Sequence, residues 1–253
     1  MLDWLNHSVA IVAAHPDDET IGAGAQLANL RDPMLVQVTD GAPRKLGSAR
    51  KDYIATRREE LAAALRKGGA PSIERFELGA VDQEASLNLA GLTAQLAHLL
   101  VERPAEVILT HPYEGGHPDH DATAFAVHAA MRVIMRERGQ IPLLMEFTSY
   151  HAGPGGMITG EFLPFEGCRE TAVVLTAEAR RRKEEMLDCF VSQREMLRHF
   201  GLGHERFRLA PPYDFTRPPH PGRLYYERFD WGMTGERWRE LARAALCGAA
   251  GLA

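Results

Sequence analysis

The sequence has few cysteines. Its 253 residues include three, Cys168, Cys189 and Cys247, which lie far apart and form no C-x-x-C pair. This spacing argues against a disulfide framework and against a cysteine-based metal site. Because isolated thiols are typical of a reducing compartment, we expect the protein to be cytoplasmic.

The chain also has no excess of basic residues. It contains 29 Lys and Arg against 34 Asp and Glu, which gives a net charge of −5. Binding to a phosphate backbone normally depends on a positive surface, so we expect no nucleic-acid partner. The 45% hydrophobic and 25% charged residues are ordinary values for a folded globular protein and exclude disorder as the main state.

Long hydrophobic runs are missing too. No segment approaches the roughly 18 consecutive apolar residues of a membrane helix. The N-terminal apolar stretch, Val9–Ala14, is short and has no basic run ahead of it, unlike a signal peptide. We therefore expect a protein without a membrane partner.

Two common classes of catalytic site are not indicated by any motif. The chain has neither a G-K-[ST] phosphate loop nor a G-x-S-x-G nucleophile elbow. Gly22 and Gly24 follow a predicted strand, but Leu27 stands where a dinucleotide-binding fingerprint requires a third glycine. These absences argue against nucleotide binding and against serine-hydrolase chemistry.

Short apolar runs alternate with helical patterns through the first 150 residues, which predicts an α/β fold with a mostly parallel sheet. The predicted strands are Val9–Ala14, Met34–Thr39, Ile73–Leu78, Val107–Thr110 and Leu143–Tyr150. The predicted helices are Glu19–Leu30, Ala49–Lys67, Leu87–Val101 and Ala122–Arg138.

The remaining third of the chain is less regular. Residues 151–170 hold five glycines and two prolines, which predicts a long loop. A strand at Thr171–Leu175, a long helix at Ala177–Phe200 and a last helix at Glu236–Leu246 follow, while the aromatic segment 211–231 has no clear assignment. We expect residues 1–253 to form a single domain with a frayed tail from about Gly248.

Polar residues cluster where the first strand meets the first helix, in the run His15-Pro16-Asp17-Asp18-Glu19. Ligands of open α/β sheets bind at this carboxyl edge of the strands. If Pro16 bends the turn so that His15 and Asp18 converge, they supply two ligands for a zinc-type ion and leave Asp17 free. The alternative is an ordinary helix N-terminus, where acidic residues cap amides and complement the dipole.

A second cluster, His111–Asp121, follows the fourth strand and contains three of the chain's 11 histidines. In it His120 is a candidate third metal ligand, which leaves His117 free, with Asp119 or Asp121 able to orient an imidazole and raise its pKa. The alternative is a solvated polar turn with incidental histidines.

Two histidines and one carboxylate with an open fourth position are the ligand set of a catalytic zinc site. Such a site lowers the pKa of water toward about 7 and polarises a substrate carbonyl. Asp17 is then the candidate general base, and a protonated His117 the candidate group facing the developing oxyanion. The pattern predicts metal-assisted hydrolysis of an amide or ester.

Together, A-H-P-D-D-E near the N-terminus and G-H-P-D-H in the second cluster resemble the motifs of the PIG-L/LmbE family of zinc-dependent N-deacetylases. The resemblance implies a Rossmann-like sheet with helices on both faces, and amide hydrolysis of N-acetylglucosamine-containing small molecules. It places the zinc ligands on His15, Asp18 and His120, the base on Asp17 and the oxyanion-stabilising histidine on His117.

The same resemblance implies a substrate-binding arginine, which falls on Arg57 with Arg58 as the alternative. Segments 151–170 and 211–231 correspond to nothing in the family pattern.

The resemblance also implies the partner and the metal. The expected partner is an amino-sugar small molecule, with homo-oligomerisation left open. Zinc and iron(II) both suit the ligands. The competing interpretations are an amidase for another acyl group or larger amide, and an inactive metal- or carbohydrate-binding module.

Overall fold

The computed structural model describes residues 3–250 as one α/β domain. Its strands are β1 (Ser8–Ala13), β2 (Arg31–Pro43), β3 (Glu74–Asp82), β4 (Val107–Thr110), β5 (Leu143–Phe147), β6 (Tyr150–Gly153), β7 (Gly156–Thr159), β8 (Glu170–Val174) and β9 (His204–Leu209). Its helices are α1 (Asp18–Ala23), α2 (Arg50–Lys67), α3 (Leu89–Glu102), α4 (Pro118–Arg138), α5 (Ala177–Leu187), α6 (Arg194–Leu197) and α7 (Gly235–Ala250).

Seven strands form the central sheet in the order β3-β2-β1-β4-β5-β9-β8. The first five are parallel, whereas β9 runs antiparallel to β5 and β8 antiparallel to β9. The chain order reverses between β1 and β4, so their carboxyl ends flank the crevice where ligands of such sheets bind. The predicted α/β class with a mostly parallel, Rossmann-like sheet is confirmed.

Each face of the sheet carries its own apolar core, because side chains of a strand alternate between the two faces. Val9 and Ile11 of β1 pack toward α2 and α5, and Ala10 and Val12 pack toward α3, α4 and α7. All four residues are completely buried. The sheet is therefore covered by helices on both sides, which explains why its central strands read as continuous apolar runs.

Two helices are shorter in the structure than predicted, because backbone amides beyond their ends donate to carboxylates from distant parts of the chain. The helix predicted over Glu19–Leu30 ends at Ala23, where the Ala25 amide donates to Glu205 Oε1 at 2.9 Å. The helix predicted over Ala177–Phe200 ends at Leu187, and the Ser192 amide and hydroxyl donate to Glu60 at 2.8 and 2.6 Å. Both predictions were wrong about length.

The region 151–170 is not entirely loop. The predicted strand Leu143–Tyr150 ends at Phe147, and β6 and β7 then form a two-stranded antiparallel hairpin. Strand β9 was not predicted at all, whereas the helix expected from Ala122 starts earlier, at Pro118.

No helix within residues 3–250 is long and apolar enough to cross a membrane. A single domain over the whole of 1–253 stays a prediction, because the ends fall outside the described residues. The same holds for the fraying expected from Gly248, where the structure describes no side chains.

Candidate active site

Both polar clusters lie at the carboxyl edge of the sheet, on either side of the crevice between β1 and β4. These two strands pair in parallel, with Val12 opposite Thr110, so the segments that follow them face each other. The rings of His15 and His117 lie 4.6 Å apart. The sequence clusters therefore form one site.

Asp18 contacts both of the histidines predicted as metal ligands. His15 Nδ1 lies 3.2 Å from Asp18 Oδ2, and His120 Nε2 lies 3.3 Å from Asp18 Oδ1. All three residues are buried. Two imidazole nitrogens and a carboxylate form a donor set that suits zinc or iron(II), so the residues present fit a divalent transition metal.

In His15 and His120, the ring nitrogen that does not face Asp18 contacts another side chain. His15 Nε2 lies 3.2 Å from Asp119 Oδ2, and His120 Nδ1 lies 3.2 Å from the Ser149 hydroxyl. Such contacts fix the ring orientation of a metal-binding histidine and leave its other nitrogen free for the ion. Asp119 thus contacts His15 in the way expected of a carboxylate that orients a ligand.

Two further residues reach this cluster and were not predicted as ligands. His111 is completely buried, stacks on His120 at 4.1 Å and places Nε2 3.3 Å from Asp18 Oδ2. Asp82, at the end of β3, places Oδ1 3.2 Å from His15 Nε2. His111 stood inside the second motif, but nothing in the sequence around Asp82 indicated that it would join the site.

The residues of the cluster shift one another's pKa values. Burial opposes ionisation of His15, but the carboxylates of Asp119, Asp18 and Asp82 outweigh it and raise the pKa of His15 well above its usual value. Burial likewise opposes the Asp18 carboxylate, while His120 and His111 more than offset it and hold the pKa of Asp18 well below its usual range. Asp18 is therefore ionised, as a metal ligand must be.

Asp17 adopts a backbone conformation that is rare for a residue with a side chain, with φ of 133°. Strain of this kind costs on the order of 1–3 kcal/mol and is found where a site requires a particular orientation. The Asp17 carbonyl accepts two helical hydrogen bonds of 2.9 Å, from Thr20 and Ile21, which hold this geometry. Its carboxylate makes no capping hydrogen bond, so helix capping does not explain it.

The Asp17 carboxylate instead contacts Arg57. Arg57 Nη2 donates to Asp17 Oδ2 at 3.2 Å and also to the Pro16 carbonyl, and Nη1 donates to the Gly41 carbonyl at 3.1 Å. Gly41 has φ of 65°, and a side chain there would strike Pro16 at 2.8 Å. Arg58, the alternative, is exposed and pairs with Glu77 away from the site.

The contacts of His117 favour a neutral ring, and the protonated ring expected from the sequence stays a prediction. Its Nδ1 accepts the Asp119 amide at 3.2 Å, which caps α4 and leaves the ring proton on Nε2. Burial, aided by the charge on His15, lowers the pKa of His117 to about 3. Asp121 does not orient His117, because its Oδ1 accepts the amides of Glu114 and Gly115.

The histidines of the second cluster are not a solvated turn. His111 is 0% exposed, His117 6% and His120 4%. The segment around them is fixed by residues from the C-terminal part of the chain: the Tyr225 amide donates to the Gly115 carbonyl at 2.9 Å, and Trp238 Nε1 donates to the Pro118 carbonyl at 3.1 Å.

Comparison with known families supports the motifs. Residues 10–131 match the model of the PIG-L family, which is described as GlcNAc-PI de-N-acetylase. This range includes both polar clusters and every predicted site residue. The resemblance to this family that the two motifs indicated is therefore confirmed.

Several solved structures share the fold at low sequence identity. The zinc-inhibited form of teicoplanin deacetylase Orf2 is 16% identical with a TM-score of 0.58, over 82% of this chain and 99% of that one. N,N'-diacetylchitobiose deacetylase from Pyrococcus horikoshii is 18% identical with a TM-score of 0.54, over 79% and 83% of the two chains.

A third neighbour has a different activity. GalB, the 4-carboxy-2-hydroxymuconate hydratase from Pseudomonas putida, is 15% identical with a TM-score of 0.52, over 82% of this chain and 98% of that one. No curated protein matches the chain. Because neighbours with different chemistry share this fold, the function has to be argued from the site.

Proposed function

We propose that the protein is a metal-dependent N-deacetylase that removes the acetyl group from an N-acetylglucosamine-containing or related amino-sugar small molecule. The observation that carries this proposal is the placement of Asp17. It is not needed as a ligand, yet it is strained, buried and held by Arg57 beside the His15, Asp18 and His120 cluster. The match to the PIG-L family model and the neighbours named as deacetylases support the same reaction.

His15, Asp18 and His120 would hold the metal, with Asp119 and Ser149 orienting the two rings. When bound, a divalent metal supplies a Lewis acid that acidifies water and polarises a carbonyl oxygen. Zinc and iron(II) are both compatible with these donors. Burial lowers the pKa of His120 to about 4, so its ring is neutral and available as a ligand.

Asp17 acts as the general base. Its carboxylate takes a proton from the attacking water, whose oxygen forms a bond to the acetyl carbon. The same carboxyl group then gives the proton to the leaving nitrogen as the C–N bond breaks, which releases acetate and the free amine. Arg57 keeps the carboxylate oriented through its 3.2 Å contact.

His117 stabilises the transition state as a neutral donor. Because Nδ1 accepts the Asp119 amide, the ring proton is on Nε2. The Nε2–H group can donate a hydrogen bond to the negative oxygen that develops as water attacks. A neutral imidazole needs no change of charge during the reaction. The substrate contact predicted for Arg57 stays a prediction, since its guanidinium is 3% exposed and engaged with Asp17.

Acetate release from N-acetylglucosamine derivatives by the purified protein tests this function. Activity should require zinc or iron(II), disappear with a chelator and return when metal is added back. Asp17→Asn is the matched inactive variant, because it keeps the size of the side chain and leaves the three ligands intact. An amidase for another acyl group would instead prefer longer acyl chains, and a binding module would retain metal without releasing acetate.

A further inference from the structure

Two stacked aromatic rings stand at the site and have no role in the proposed reaction. The rings of Phe229 and Trp231 are nearly parallel, 12° apart with centroids separated by 4.5 Å. The Trp231 ring also lies 4.8 Å from the ring of His117. The two residues, here called the aromatic stack, therefore connect the oxyanion-stabilising histidine to the protein surface.

The stack lies at the border between core and surface, because Trp231 packs against the core and Phe229 is largely exposed. Phe229 is 41% exposed and Trp231 is partly exposed, whereas the two other tryptophans, Trp4 and Trp238, are 6% and 0% exposed. Covering this exposed apolar surface with a ligand is favourable in water. Its contact with His117 places it in the path of a substrate rather than on a remote surface.

The loop that carries the stack is held firmly in place. The Glu227 carboxylate accepts the amides of Leu224 and Gly235 at 2.9 and 2.7 Å and so ties the two ends of the loop together. Gly232, with φ of 67°, reverses the chain directly after Trp231. The rings are thus presented as a preformed surface, which lowers the entropic cost of binding.

The stack lies outside residues 10–131, so the family match that supports the deacetylase reaction does not assign it a role. A flat ring can lie against such a surface, because aromatic faces attract the polarised C–H groups of a sugar ring and the edges of other aromatic rings. Because the Trp231 ring lies 4.8 Å from the His117 ring, a substrate whose acetyl oxygen reaches His117 can place the group next to its N-acetylated sugar on the stack.

We propose that the Phe229–Trp231 stack determines specificity by binding the flat face of a ring attached to the N-acetylated sugar. The inference rests on the proposed function, because it places the acetyl group at His117. The attached ring is either a second pyranose or an aromatic aglycone, and both offer the same flat apolar face to the stack.

Acetate release by the zinc-loaded protein from three substrates distinguishes a second pyranose from an aromatic aglycone. The substrates are the methyl glycoside of N-acetylglucosamine, its phenyl glycoside and N,N'-diacetylchitobiose. Wild type should prefer at least one ring-bearing substrate over the methyl glycoside by roughly 3- to 10-fold in kcat/KM, mainly through KM. A preference for the phenyl glycoside alone identifies an aromatic aglycone, and a preference for the disaccharide alone identifies a sugar.

The variants Phe229→Ala and Trp231→Ala should abolish this preference, mainly by raising KM for the ring-bearing substrates. Trp231→Phe, which keeps a ring, should retain most of it. Phe165→Ala is the matched control, because Phe165 is also exposed, at 39%, and its ring contacts Tyr213 rather than the stack. A wild type without preference, or a preference that survives both alanine variants, overturns the proposal.

Fluorescence gives a readout that is independent of turnover. Phenyl β-glucosaminide already lacks the acetyl group, so it can bind without reacting. Its addition should change the emission of wild type, and Trp231→Phe should lose that change, because Trp4 and Trp238 are buried. Acetate release by no substrate would reject the deacetylase function alone, whereas an unchanged emission spectrum at saturating ligand would reject the aromatic stack as a binding surface.

Discussion

Replacement of Asp119 by Asn should weaken the metal site without removing a ligand. The Asp119 carboxylate is completely buried and uses both oxygens: Oδ2 accepts the Gln83 amide at 2.6 Å and faces His15 Nε2 at 3.2 Å, and Oδ1 accepts the Ala85 amide at 3.0 Å. Asn has nearly the same shape, but it offers one acceptor oxygen. Its NH2 group must therefore face another N–H donor.

The expected magnitudes follow from these contacts. Loss of the carboxylate that orients a metal-binding histidine typically lowers metal affinity by about 10- to 100-fold. One buried N–H left without an acceptor costs about 1–3 kcal/mol of unfolding free energy. In a chain of 253 residues this corresponds to a decrease in Tm of about 2–12 °C.

Zinc competition against a chromophoric chelator, together with thermal melts of the metal-free protein, measures both effects. Asp121→Asn is the matched control on the same helix turn. The Glu114 and Gly115 amides both donate to Asp121 Oδ1, and burial raises the pKa of Asp121 to about 8, so a neutral amide imitates the group present at pH 7. Equal zinc affinity in wild type and Asp119→Asn would refute the reasoning, as would an equal loss in both variants.

Three other substitutions probe the reacting groups. Asp17→Asn should retain metal by elemental analysis but lose roughly 10²- to 10⁴-fold in kcat, the usual contribution of a positioned base; loss of the metal would instead make Asp17 a ligand. His117→Ala should raise the barrier by about 2–4 kcal/mol, and because the proposed donor is a neutral ring, any alkaline limb in the pH dependence of kcat/KM should persist in the variant. If the alkaline limb disappeared in this variant, the result would show that His117 acts in its protonated form. Arg57→Ala should lower kcat by misorienting Asp17, whereas Arg58→Ala, which breaks an exposed pair, should match wild type in the same acetate assay; equal losses in the two variants would contradict this distinction.

Elements with a strong local signal were predicted well. Val107–Thr110 was predicted with the bounds that the structure shows, because a short apolar run between polar residues has few alternatives. The helix expected over Ala49–Lys67 starts one residue later, at Arg50, and ends before Gly68 as predicted. The failures came where a partner far along the chain overrides local propensity, as Glu205 does at Ala25 and Glu60 does at Ser192.

The residues of the candidate site likewise fall into those with a local sequence signal and those without one. Both motifs were visible because they concentrate histidine and carboxylate within a few residues at the ends of strands. Asp82 was not visible, since a single carboxylate at the end of a weakly patterned strand carries no local signal. The acceptor role of His117 Nδ1 was not visible either, because it depends on the cap geometry of α4.

The sequence by itself determined the α/β class, the two clusters and the residue types that suit a divalent metal, because these follow from periodicity and from short-range spacing. Only the tertiary structure decided that β1 and β4 are neighbours, that Asp119 orients His15 and that Arg57 rather than Arg58 holds Asp17. It also placed the aromatic stack against His117. Each of these contacts joins residues far apart in the chain, and the packing of the whole sheet and its helices, not local propensity, fixes which of them meet.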